Sequence, residues 1–445
     1  VWDKEWYVAK GNVSLSDVTV KGNVNLILEN ECRLEIGKGI RVDKGNSITI
    51  YARSLDNTND TVGNLVISGG RSSSCAGIGG YRNSDCGTIT INGGDLMVKG
   101  GYTCAGIGGG ENADAGTVII NGGEIDAFGG TRAAGIGTGA NGTGGSVTIN
   151  GGTLNVKSDE AYGAGIGSGD SGSIDIITIN DGNISANGGD AGAGIGSGYG
   201  GNAESIVING GTIDAISTMF AAGIGAGDNG SVNSIEINGG DVTATSGESG
   251  VGIGANRYSI HCGKIAINNG VVKATGGERS IGAGNEGFTG YSKDITLGTG
   301  MLVYELAEDG TPVRKLDLPN PIDTFVDINS VLIQKDAINW EMYSGHKHKG
   351  VLHLGVAPTK NNAGYKDYYE CFCGKFFEDA DCKKEITDLK KWKAEGEDGY
   401  IAKLGEEPKS PKTEDAGNMT LLILLLIISS IGITAFAKFG KKEKL

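Results

Sequence analysis

Thr88-Ile89-Thr90-Ile91-Asn92-Gly93-Gly94-Asp95-Leu96-Met97-Val98-Lys99-Gly100-Gly101, followed shortly by Ala105-Gly106-Ile107-Gly108, is the stretch that decides the fold. Thr88 to Ile91 alternate polar and apolar and are β-branched, which predicts a short strand with its isoleucines inward. Asn92-Gly93-Gly94 predicts a turn, because glycine reaches positive φ at no steric cost. Leu96 and Val98 alternate again, Gly100-Gly101 turns the chain, and Ala105 to Gly108 makes a third extended piece. The signature first occurs at Ala76-Gly77-Ile78-Gly79 and recurs at Ala134, Ala164, Ala193 and Ala222. It loosens to Val251-Gly252-Ile253-Gly254 and ends as Ser280-Ile281-Gly282. Its isoleucines are spaced 29, 29, 30, 29, 29, 29 and 28 residues. Asn92, Asn121, Asn150, Asn180, Asn209, Asn238 and Asn268 keep the same step.

Three short strands and three turns in one 29-residue period predict one coil of a right-handed parallel β-helix. A single coil cannot bury its inner face, so neighbours must stack and close a continuous Ile/Leu/Val/Ala column. Equivalent residues then lie about 4.8 Å apart, and stacked asparagine amides can bond along the axis. The small residues of the Ala-Gly-Ile-Gly row predict a crowded corner where a Cβ would clash. Leucine-rich, ankyrin and tetratricopeptide repeats need helices, and no helical spacing occurs here. A propeller blade needs about 40 residues.

Of 445 residues 81 are glycine, and their periodicity separates the chain from a disordered glycine-rich one. The net charge of −15 argues against nucleic acid as a partner. Residues 1–63 alternate without the 29-residue signature and read as a cap and first irregular coils. Residues 64–303 are the repeats, and 304–339 read as a C-terminal cap or linker. Residues 340–405 form a small Tyr/Cys-containing module. A linker at 406–418 precedes 419–437, which are uncharged and long enough to span a bilayer. The basic tail 438–445 predicts a cytoplasmic end, with everything before the span outside the cell.

Three resemblances follow from these residues. The Gly45-Asn46-Ser47-Ile48-Thr49-Ile50-Tyr51 entry and the paired Ala-Gly-Ile-Gly and Ile-Asn-Gly-Gly rows resemble glycine-rich β-helix repeat proteins on the surface of Gram-positive gut bacteria. Relatives of those proteins are often described as carbohydrate-binding. Tyr368 to Ala380 is similar to a small module of the same surface proteins, with Cys371-Phe372-Cys373 where that module has Cys-x-x-Cys. Ser410, Pro411, Lys412, Thr413 and Glu414, placed before an apolar span and a basic end, resemble a sortase sorting signal. That resemblance implies sortase and peptidoglycan as partners, with Glu414 where the family has glycine; a plain membrane anchor is the other reading.

Aromatic residues flank the glycine row: Tyr81, Tyr199 and Tyr258 after it, and Tyr102, Tyr162 and Phe220 before it. Sugar rings stack on aromatic faces, so these are the candidate ligand-binding residues. The repeat acids Asp95, Glu124, Asp126, Asp214, Glu236 and Asp241 read as scattered, solvated turn residues rather than a catalytic set. Cys75 and Cys104 both precede Ala-Gly-Ile-Gly one period apart, within reach of a disulfide between stacked coils. Cys371, Cys373, Cys382 and His353 offer soft ligands for Zn²⁺, with a disulfide among the cysteines as the alternative. No cofactor is required; Zn²⁺ there, or Ca²⁺ bridging an acidic sugar, are the metal alternatives. The expected function is a cell-surface β-helix that binds glycan as an adhesin or capture protein and is not an enzyme. A ligand-free structural spacer is the alternative, and a polysaccharide lyase or hydrolase the third reading.

Overall fold

The computed structural model describes residues 1–52, 62–69, 75–159, 161–256, 258–282, 295–322, 328–338, 350–359, 362–371, 376–380, 383–394 and 397–402. The chain divides into two compact units, Val1–Ala337 and Ile338–Leu445. The first is a parallel β-helix with three sheets. Sheet 1 runs from Trp6–Ala9 through Asn23–Leu28, Ser47–Ala52 and Thr88–Ile91 to Ile295–Leu297, with eleven strands among the described residues. Sheet 2 starts at Asn12–Leu15 and carries the Asp95–Lys99 type of strand; sheet 3 starts at Val18–Thr19 and carries the Ile-Gly pairs. All three strands expected from the model repeat are therefore present, at Thr88–Ile91, Asp95–Lys99 and Ile107–Gly108.

Register is strict. Ile89 pairs with Val118, Leu96 with Ile125 and Ile107 with Ile136, each one period on. Inward residues form unbroken columns that are fully buried, including Ile78, Ile107, Ile136, Ile166, Ile195, Ile224, Ile253 and Ile281. Each such side chain removed from water contributes about 1.5–3 kcal/mol, which is why the period is held through apolar positions and drifts in the loops. The asparagine row forms a ladder. The Asn121 amide donates to Asn92 Oδ1 at 2.7 Å, Asn150 to Asn121 at 2.7 Å, and the chain of bonds continues through Asn180, Asn209 and Asn238 to Asn268.

The Ala-Gly-Ile-Gly corner is crowded for a visible reason. At Gly167 φ is +143°, and a Cβ there would lie 1.8 Å from the Gly196 carbonyl oxygen of the next coil. The first 52 residues lack the signature yet contribute strands to all three sheets, because sheet membership needs only period-2 alternation with the right arc lengths. At the far end the direction changes. Ser330–Gln334 lies antiparallel on Val271–Thr275, and Leu302–Leu306 and Pro312–Leu316 extend it as an antiparallel ribbon.

The second unit has a four-stranded antiparallel sheet, Gly350–His353, Tyr368–Cys371, Phe376–Phe377 and Glu385–Ile386, and a pair Gly364–Tyr365 with Tyr400–Ile401. A single helical turn, Leu389–Trp392, is capped by Asp388, whose carboxylate accepts from the Lys391 N–H. Residues 410–414, the 419–437 span and the basic tail lie outside the described residues. Among the described residues no helix is long and apolar enough to cross a membrane.

Candidate binding faces

Three outward columns run along sheet 1, and the exposed acids Asp175 and Glu204 of Ser173–Ile179 and Asn202–Ile208 stand beside the first of them. Ser47, Thr88, Thr117, Ser146, Ile176, Ser205 and Ser234 stack in one. Trp6, Asn25, Thr49, Thr90, Ile119, Thr148, Thr178 and Val207 stack in the second. Val8, Ile27 and Tyr51 begin the third, and the asparagine ladder continues it. None of these column residues carries a charge, although the chain as a whole has a net charge of −15. Glu236 and Lys264 are the first charges these columns meet. The strip spans eight strands, about 34 Å at the usual strand spacing.

At the N-terminal end of this strip stands an aromatic pair. Trp6 and Tyr51 are stacked, with ring centroids 5.9 Å apart and 27° between planes. Trp6 is 50% exposed and Val8 55%. An indole that open, fixed on a second ring and bordered by the amide of Asn25, is a platform with polar groups at its edge. These two residues are absent from the aromatic set expected from sequence. The signal that could have found them is the outward phase of the alternation in Trp6–Ala9 and Ser47–Ala52.

The six expected aromatics do not make one row. Tyr162 and Tyr199 meet edge to face at 5.5 Å, and the Tyr199 N–H donates to the Tyr162 carbonyl oxygen. Tyr81 lies under the Arg41 guanidinium at 4.9 Å. Phe220 is half-buried, and its carbonyl oxygen accepts from the Asn256 amide. Tyr102 and Tyr258 are exposed at other coils. The rows miss because these residues sit before and after the glycine signature, in loops whose lengths vary.

The repeat acids are less scattered than their sequence positions imply. On the outer face of sheet 2, Glu124 and Asp126 stack beside Thr153 and Asn155, then Asn183 and Ser185. These residues line a shallow trough of about 180 Å³, and the Asn155 amide donates to Asp126 Oδ1 at 2.8 Å. Phe128 follows two residues after Asp126 on the same strand, flanked in its column by Lys99 and Lys157. Asp214, further along the same face, has its carboxyl pushed up by burial.

Cys75 and Cys104 stand as thiols, and the expected bridge is not formed. The Cys75 S–H donates to the Lys38 carbonyl oxygen on the preceding coil. Burial, with a smaller contribution from Cys75, pushes Cys104 up to about 11. Burial pushes Cys262 up to about 12 and raises Cys86 as well, so these thiols stay protonated packing groups. Of the expected Zn²⁺ set, His353 Nε2 sits 2.7 Å from Glu370 Oε2; Cys371 lies on a strand, and Cys373 and Cys382 lie outside the described residues. Among the described residues no group of three or more His, Cys, Asp or Glu could hold a metal ion.

One carboxylate on the repeat edge gives a pH prediction. Burial, then the charges of Asp85 and Asp175, raise the Asp114 carboxyl, against the Gly116 N–H that donates to it at 2.7 Å. A carboxyl raised in the folded state is destabilising when ionised, and stability falls as pH rises from its unfolded value, about 3.9, through the folded value. Asp114→Asn keeps the Oδ1 acceptor without the charge. Thermal melts at pH 7 are expected to place the variant above the parent, with the gap closing as the pH approaches 4. A constant gap across that range would remove Asp114 ionisation as its cause.

Comparison with known families agrees with this geometry. The beta helix repeat family profile matches residues 89–111, 118–140, 147–170, 177–199, 206–228, 235–257 and 265–285. The chain is a parallel β-helix repeat protein. Each beta helix repeat match begins in a sheet 1 strand and ends beyond the glycine signature, so the matched unit is the structural coil. No curated protein matches the chain, and no solved structure matches it.

Proposed function

We propose that the β-helix is a glycan-binding rod held at the cell surface, and that its sheet 1 face receives an extended neutral polysaccharide. The observation that carries this reading is the uncharged strip of hydroxyl and amide groups ending at the Trp6–Tyr51 stack. An anionic polymer gains nothing from such a face and is repelled by the acidic remainder of the molecule. A neutral chain lying along the axis would meet chemically equivalent groups every coil, and many weak contacts would sum. The asparagine ladder supports the reading further, because amides already bonded to each other lose little freedom on binding. The sheet 2 trough, with the carboxylates of Glu124 and Asp126 beside amide and hydroxyl groups, is a second contact region for sugar hydroxyls. Surface location rests on the apolar run 419–437 and the lysines after it.

The test is binding of neutral and uronate-containing polysaccharides to the chain and to Trp6→Ala/Tyr51→Ala. Neutral glycan binding that weakens about tenfold or more in the double variant is expected, the usual scale for loss of stacked aromatic contacts. Equal binding by the double variant would remove the strip as the site. The spacer reading is favoured by the single continuous core, and absence of binding to every glycan would leave it standing.

A further inference from the structure

The second unit holds a positive charge in an unusual way. Lys393 Nζ lies 4.1 Å from the centroid of the Tyr365 ring and 4.2 Å from that of Tyr368. The two rings are 6.4 Å apart and tilted by 48°, so they open as a V around the ammonium. Tyr368 is held from several directions. His353 stacks on it at 4.8 Å and 4°, while Phe376 and Trp392 meet it edge-on at 5.9 and 6.1 Å. Glu370 fixes His353 in turn, at 2.7 Å. Among the described residues no carboxylate pairs with Lys393. The cation is therefore held by ring faces and not by an opposite charge.

Such a slot is better matched to another cation. A primary ammonium is compact and strongly hydrated, and it must give up water to sit between two rings. A quaternary ammonium is larger and weakly hydrated, carries no N–H to satisfy, and is attracted by the same ring quadrupoles. Lys393 stands at the C-terminal end of the Leu389–Trp392 turn on a flexible four-carbon stem, so it can leave the slot for solvent without moving the rings. We propose that the Tyr365–Tyr368 slot is a binding site for a trimethylammonium group, with Lys393 as its built-in placeholder. The shared chemistry is that of choline, either free or as a phosphocholine head group.

The affinity of a slot filled by its own side chain is reduced by the fraction of time it stands open. Removing the placeholder should therefore tighten binding. The experiment is a ligand-observed NMR titration of the full chain in non-ionic detergent with tetramethylammonium, choline, phosphocholine and the neutral isostere 3,3-dimethylbutan-1-ol. Lys393→Ala is expected to bind tetramethylammonium about tenfold more tightly than the parent, as for a placeholder present about nine-tenths of the time. Tyr365→Ala should abolish binding, and the neutral isostere should bind at least about tenfold more weakly than the cations. Lys393→Met keeps an apolar stem without the charge and serves if the alanine variant does not fold. Preference for phosphocholine over choline would identify the head group as the source; equal binding would identify the free cation. No saturable binding by either folded Lys393 variant, or equal binding of the neutral isostere, would overturn the proposal.

Discussion

Gly167→Ala is expected to prevent the β-helix from closing, with a loss of at least about 3 kcal/mol or no cooperative melt at all. Two independent costs meet at this position. The backbone sits at φ +143°, where side-chain-bearing residues are strained, and the new Cβ would lie 1.8 Å from the Gly196 carbonyl oxygen. Neither can be relieved locally, since Ile166 and Gly167 are paired on both sides, with Ile136–Gly137 and Ile195–Gly196. Moving one coil away would strip ladder bonds from its neighbours. Gly93→Ala is the control. Its Cβ would meet nothing closer than 3.8 Å, and its φ is not in the left-handed region. That variant should stay within about 0.5 kcal/mol of the parent in urea unfolding, as exposed substitutions do. Equal effects of the two would mean that glycine in the corner reflects composition and not geometry.

The second large effect concerns the unit of the fold. Deleting residues 177–205 removes one whole coil, because Ile177 is the register partner of Ile206. The new junction places Ile206 after Ile176, so Val147 faces Ile206, Leu154 faces Ile213 and Ile166 faces Ile224, all apolar pairs already used in the parent. Stability in a stack of repeats is close to a sum of coil and interface contributions, and one coil among many can be lost. The shortened chain should melt cooperatively, within about 5 °C of the parent. Deleting 177–190 instead removes the sheet 2 strand Asn183–Asn187 and leaves a sheet 1 strand cut in half. That chain should lose its cooperative transition. Circular dichroism melts of the two deletions read the difference directly, and a stable half-coil deletion would contradict the stacking account.

The parts of the molecule that sequence disclosed are those fixed by repetition. Ile107 and Ile136 announce the core because a buried column tolerates little else, and Asn121 announces the ladder because an amide bonds best to another amide one strand away. The uncharged strip was hidden for the opposite reason. Thr90, Ile119, Thr148 and Val207 mix hydroxyl and aliphatic side chains, and what unites them is the absence of charge. That property appears only once register places them in one column. Trp6 and Tyr51 were hidden because the arcs joining the first coils differ in length from the later ones, so no fixed period links them. The loop aromatics misled because their offset from the glycine signature varies, leaving Tyr162 and Tyr199 as an edge-to-face pair among the six. The ammonium slot joins Tyr365 and Tyr368, from consecutive strands, to Lys393 at the end of the helical turn, with no motif to mark it.

The reversal of strand direction at Ser330–Gln334 bears on how these molecules behave in a crowd. A parallel sheet that simply stopped at Val271–Thr275 would present a row of open amide and carbonyl groups in the same register as every strand beneath it, ready to accept the first coil of another molecule and so to grow into a fibre. The antiparallel ribbon presents the wrong direction for that addition. It ends in Pro312–Leu316, where proline has no N–H to offer at its first position. On sheet 2 the closing ribbon thus acts as a brake on end-to-end addition in a sequence built on self-similar stacking.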